Sequence, residues 1–135
     1  MNTVFDIKKN EIVFIYNADK FRDREARGYL KSVQDYKIRE IDISRDQVTE
    51  TQLMDVADRL EITPAQLMDK QSDVYVNEYR NKDLGKEDIL KAIRQKPSLL
   101  HTPIALYMDK AYLVKTPYDL VKKGMTPKGV DPDSR

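Results

Sequence analysis

The chain has 135 residues, 35% of them charged and 40% hydrophobic, with a net charge of +1; that suffices for one domain with its own core and gives no bulk-charge reason to bind nucleic acid. It has no cysteine and one histidine, which excludes disulfides, thiolate nucleophiles, Cys-x-x-Cys redox motifs, Cys-ligated zinc and multi-histidine metal sites. There is no G-x-S-x-G elbow, no Gly-rich phosphate loop, no signal-peptide start and no apolar run near the roughly 20 residues that span a membrane, so a cytoplasmic protein without a membrane partner is expected.

Residues 1–10 are mixed and are read as a candidate edge strand. "EIVFIY", 11–16, is apolar without a break from Ile12 to Tyr16, the pattern of a strand buried on both faces. Asn17 to Asp19 forms a turn able to cap the next element. A helix is expected over 20–34, with Ala26, Tyr29, Leu30 and Val33 on one stripe. "YKIREIDIS", 36–44, reads as a second strand whose imperfect alternation allows a bulge or bend. A strand–helix–strand unit with right-handed crossover makes these two strands parallel. "TETQ", 49–52, and "TPAQ", 63–66, are capping boxes, the second with Pro64 at a first helical position. "DVYVNEYRNKDL", 73–84, reads as a short helix plus loop. "GKEDILKAIRQ", 85–95, is a helix ended by Pro97. "PIALYM", 103–108, and "AYLV", 111–114, form a tight hairpin around Asp109 and Lys110. A third capping box, "TPYD" at 116–119, opens a last helix to about Lys123, and 124–135 is expected to be a flexible tail.

The order is β-α-β, a helical insert at about 46–96, then β-β-α. That is an α/β layout with a mixed sheet, βαβ plus ββα, as in a thioredoxin-like domain over residues 1–123. Pro103 then opens a strand where that fold places a cis-proline facing the active-site turn.

Three stretches extend the likeness. They are the strand–turn–helix "IYNADKFRDRE", the insert "TETQLMDVADRLEITPAQLMDK", and the ending "KEDILKAIRQKPSLLHTPIALYMDKAYLVKTPYDLV". Over roughly residues 11–123 the chain resembles the arsenate reductases that couple to glutaredoxin and their relatives, the Spx-type transcription regulators. Registering Asn17 and Arg24-Glu25 on that family's motif puts Lys20 where its catalytic cysteine stands. Registering Pro103 puts Thr102 where an oxyanion-binding arginine stands. Without a thiolate, neither the family's arsenate chemistry nor Spx-type redox sensing is open to this chain.

The residues support two readings. In the first, this is a cysteine-free relative of arsenate reductase, without catalytic residues, acting as a protein-binding or regulatory module; the Spx resemblance implies RNA polymerase as one partner. In the second, Asn17, Lys20, Arg24, Thr102 and Pro103 form a pocket for glutathione or a small oxyanion, in a binding protein or in a thiol-independent transferase or reductase. A helix N-terminus beside Lys20, Arg22 and Arg24 attracts anions, although Asp19, Asp23 and Glu25 can pair with those bases on a solvated face. Lys20 is an exposed lysine or, in a desolvated pocket, a nucleophile. His101 is a proton-transfer group or a plain loop residue. Tyr75, Tyr79, Tyr107, Tyr112 and Tyr118 flank a cleft or pack at core edges, while Met54 and Met68 fill gaps. No metal and no direct nucleic-acid partner are expected, and glutathione is a cofactor only under the second reading.

Overall fold

The computed structural model describes residues 5–32 and 36–114. Four strands form one mixed sheet: Glu11–Tyr16 (β1), Lys37–Asp42 (β2), Ile104–Tyr107 (β3) and Lys110–Leu113 (β4), in the order β2-β1-β3-β4. β1 lies parallel to β2, with Glu11 opposite Lys37 and Tyr16 opposite Asp42. It lies antiparallel to β3, which pairs antiparallel with β4. The expected βαβ and ββ halves therefore share one sheet joined through β1.

The apolar run of β1 is explained by its two buried faces. Val13 and Ile15 enter the larger core with Leu53, Val56, Leu90, Ile93, Leu99 and Leu106. Ile12, Phe14 and Tyr16 enter a smaller core with Ala26 and Leu30. The helix Phe21–Lys31 (α1) covers that second face with Ala26, Tyr29 and Leu30 of the expected stripe, and Val33 lies outside the described residues. Between β2 and β3 the chain is helical: Glu50–Leu60 (α2), a 3₁₀ turn at Pro64–Leu67, a π-helical turn at Tyr75–Tyr79, Lys86–Gln95 (α3) and a 3₁₀ turn at Pro97–Leu99.

The capping box at Thr49 forms as expected: Gln52 N–H donates to Thr49 Oγ1 at 3.0 Å, and Thr49 N–H donates to Gln52 Oε1 at 2.9 Å. At the second box the Thr63 N–H and hydroxyl both donate to Gln66 Oε1, but the element they open is one 3₁₀ turn rather than an α-helix. Its peptide turns extended at Met68 and leaves to pair with the chain before β3.

Other expectations are corrected. Residues 5–10 form no strand. α1 ends at Lys31, where Ser32 N–H and Oγ both donate to the Tyr29 carbonyl. β2 runs in regular register without a bulge. The hairpin turn sits one residue earlier than read, on Met108 and Asp109, with Lys110 already paired to Tyr107. Met108 there has φ 58, a left-handed conformation that the sequence offers no glycine to signal. The helix and tail expected beyond 115 lie outside the described residues.

α2 stops in a Schellman motif. Ile62 N–H reaches the Ala57 carbonyl at 3.0 Å, and Glu61 N–H reaches Asp58 at 3.1 Å. Glu61 carries φ 59, where glycine has no Cβ penalty. Glu61→Gly is expected to raise stability by about 1 kcal/mol, seen as a higher urea midpoint with unchanged slope; a lower midpoint refutes that account of the cap.

Candidate functional site

The turn after β1 is held by its own short polar groups. Asn17 is buried; its side-chain oxygen accepts from Asp19 N–H at 2.9 Å, and its N–H donates to Asp23 Oδ2 at 2.8 Å. Lys20 N–H closes the turn on the Asn17 carbonyl at 3.0 Å. α1 then starts with Lys20 in extended conformation at the N-cap, and no side chain caps it. The capping expected from Asn17 to Asp19 is therefore not made, because Asn17 spends its oxygen on the turn itself.

Opposite this helix end, the insert meets the chain before β3. Asp69 N–H donates to the Leu99 carbonyl at 2.6 Å, and His101 N–H donates to the Leu67 carbonyl at 2.8 Å. This short antiparallel pairing sets the Asp69 side chain beside α1. The Lys20 ammonium donates to Asp69 Oδ2 at 3.4 Å, to the Ser98 carbonyl at 3.3 Å and to the Leu100 carbonyl at 3.3 Å. Three acceptors match the three donors of an ammonium group. One carboxylate also offsets its charge at the positive end of the helix. The Lys20 and Asp69 side chains are only 22% and 14% exposed, so the pair sits in the structure rather than on a solvated face.

Arg22 Nη2 donates to the Thr102 carbonyl at 3.2 Å, and the Thr102–Pro103 peptide is cis. Thr102 is fully buried, and its hydroxyl has no hydrogen-bond partner among the described residues. Beside these groups lies an open cleft of about 570 Å³, whose polar lining includes Arg22, Gln66, Asp69, Lys70 and His101.

Of the residues singled out from sequence, Lys20 and the Thr102–Pro103 loop come together, linked through the Leu100 carbonyl and Arg22. Asn17 is internal to the turn. Arg24 faces elsewhere: its Nη1 donates to the Ala18 carbonyl at 2.7 Å, and its guanidinium lies 5.8 Å from the Phe21 ring centre. The tyrosines do not flank one cleft, since Tyr75 and Tyr79 pack on one side of the sheet and Tyr107 and Tyr112 on the other; Tyr118 lies outside the described residues. Sequence reasoning missed Asp69. It is 49 residues from Lys20, and no local spacing marks it.

No protein-family model and no curated protein matches the chain. Its structure is similar to an arsenate reductase from Vibrio cholerae, with a TM-score of 0.73 and 16% identity over 85% of this chain and 98% of that one. It is also similar to a provisionally named arsenate reductase from Yersinia pestis (TM-score 0.72, 18% identity, 82% and 98% covered). An arsenate reductase related protein from Brucella melitensis superimposes with a TM-score of 0.63 at 11% identity, covering 84% and 92%.

The fold is that of the arsenate reductases. At such identities the likeness is one of architecture: a mixed thioredoxin-like sheet with a helical insert. This version of the arsenate reductase fold contains no cysteine. Among the described residues, no helix is long and apolar enough to cross a membrane.

Asp42, at the end of β2, fastens the turn of this fold from the other side. Its Oδ1 accepts from Ala18 N–H at 3.1 Å, Ser44 N–H at 3.0 Å and Ser44 Oγ at 2.7 Å. Burial pushes its carboxyl up, but these bonds and the charge of Arg45 outweigh it and hold the group below its ordinary value. A depressed carboxyl stabilises the fold fully above its unfolded value of about 3.9, and that contribution is lost as pH falls through the folded value. Asp42→Ala is expected to cost about 1 kcal/mol at neutral pH, since the part-buried Ala18 N–H and the exposed Ser44 donors lose a charged acceptor. The gap to the parent protein should close on acidification. Denaturation midpoints across the acid range check this; a gap that stays constant with pH counts against the charged form as the anchor.

Proposed function

We propose that this chain is a cysteine-free protein of arsenate reductase fold that has given up the reductase chemistry and works as a protein-binding or regulatory module. The observation that carries this reading is the state of Lys20. On the family registration, Lys20 stands at the position of the thiol. It can supply no thiolate for an arsenate adduct, and its ammonium is already satisfied by Asp69 and two backbone carbonyls. The position where an anion would be drawn to the helix end is thus filled from within the chain. Next to it, Phe21 is 67% exposed, an apolar side chain in the setting of a contact surface.

The polar cleft lined by Arg22, Lys70 and His101 favours the second reading, a pocket for glutathione or an oxyanion. An amide titration of the labelled protein with glutathione, phosphate and arsenate separates the two. The module reading expects no saturable shifts at Asn17 to Arg24 or His101 to Ile104 with millimolar ligand. Saturable shifts confined to those residues would overturn it in favour of the ligand site.

A further inference from the structure

We propose that a second cavity, between the π-helical turn Tyr75–Tyr79 and α3, is a socket for one apolar side chain carried by an acidic peptide segment of a partner protein. This deepens the binding-module reading and rests on it.

The cavity measures about 130 Å³, close to the roughly 150 Å³ of an engineered apolar cavity that takes up benzene. One leucine or phenylalanine side chain is of that size, whereas sites for drug-sized molecules run to about 300–1,000 Å³. Its floor is apolar and belongs to the main core: Met68 and Ile89 are 8% and 6% exposed. Half-buried Tyr75, Tyr79 and Leu84 form its walls. Tyrosines suit such a place, because the ring packs while the hydroxyl meets the polar backbone of a bound chain.

The mouth is cationic. Lys70 and Lys82 are both exposed there, against one carboxylate, Asp83. The Lys82 ammonium lies 5.1 Å from the centre of the Tyr79 ring. A purely apolar small molecule would make no use of these lysines; an apolar side chain flanked by Asp or Glu uses both features. The surrounding backbone is also unusual. Arg80 N–H reaches back to the Tyr75 carbonyl at 2.8 Å, the wider winding that recurs at functional positions. Val76 on this same turn is 38% exposed and adds apolar surface. Met68 and Lys70 also flank Asp69, the partner of Lys20, so the socket and the cleft share one segment as a common wall.

The test is an amide titration of the full chain with acetyl-Glu-Glu-Leu-Glu-Glu-amide, and with the same peptide carrying alanine for leucine. Saturable shifts at Tyr75, Tyr79, Leu84 and Ile89 are expected with the leucine peptide and not with the alanine one. Higher salt should weaken them. Lys82→Glu should weaken binding about tenfold, and Ala65→Trp, a bulky ring on an exposed lining residue, should abolish it while amides elsewhere keep their positions. No shifts at the socket, or equal shifts with both peptides, would overturn the proposal. Shifts at Arg22, Asp69 and His101 instead would overturn the socket but leave the module reading intact.

Discussion

Arg59→Ala is expected to destabilise the protein by about 3–5 kcal/mol, the cost of leaving a buried ion pair half-made. Arg59 lies on α2 with its side chain 6% exposed, and its Nε donates to Asp55 Oδ1 at 3.2 Å. The rest of the guanidinium reaches parts of the chain remote in sequence: Nη1 donates to the Met108 carbonyl at 2.5 Å and Nη2 to the Phe5 carbonyl at 2.9 Å. Asp55 Oδ2 in turn accepts from Phe5 N–H at 3.1 Å. One side chain thus ties α2 to the β3–β4 turn and to the segment before β1. Removing it leaves the Asp55 carboxylate, 10% exposed, without its cation, and two carbonyls lose their donor. Replacing both members together, Asp55→Leu with Arg59→Met, should recover part of the loss, because no lone charge then remains buried. Chemical denaturation of the two single variants and the double variant checks this. A double variant as unstable as the sum of the singles would mean that the pair is not a coupled unit.

Asp69→Asn is expected to make the start of α1 more attractive to anions than it is in the parent protein. The substitution keeps the size of the side chain and removes the charge that offsets Lys20. The ammonium then remains at the uncapped start of α1, on the same helix turn as Arg22, with neutral oxygens alone as partners, among them the Ser98 and Leu100 carbonyls. Helix end and cations now act in the same direction. Affinity for inorganic phosphate or arsenate should rise at least about tenfold, since a full counter-charge at ion-pair distance has gone. The fold should lose about 1–2 kcal/mol for the weakened contact. Amide shifts at Lys20 to Arg24 under phosphate report the site, and the denaturation midpoint reports the cost. If the variant binds phosphate no better than the parent, the Asp69 charge does not govern the attraction of this helix end for anions.

How much of this was legible in the sequence depended on how local the cause was. The unbroken apolar run at 12–16 required a strand covered on both faces, because each of its alternating side chains needs an apolar neighbour. The stripe of Ala26 and Leu30 and the reciprocal groups of Thr49 and Gln52 likewise act within a few residues, so α1 and α2 were readable. The absence of cysteine excluded thiol chemistry before any fold was known. The end of α2 at Glu61 and the turn at Met108 were less readable. Both use left-handed residues other than glycine, which the surrounding structure imposes.

The site divides the same way. Lys20 was found because it follows a strand and opens a helix, a local pattern. Its partners were not, because Asp69 and the Ser98 and Leu100 carbonyls arrive from 49, 78 and 80 residues away. Arg59 gave no signal for the same reason: on paper it is one more charge on an amphipathic helix. The sequence alone determined the layers, the strand order's two halves and the absence of a thiol. Only the tertiary structure decided that Lys20 is neutralised from within and that Arg59 is buried. Local spacing specifies backbone form and which face is apolar, whereas the pairing of charges needs the distances that folding sets.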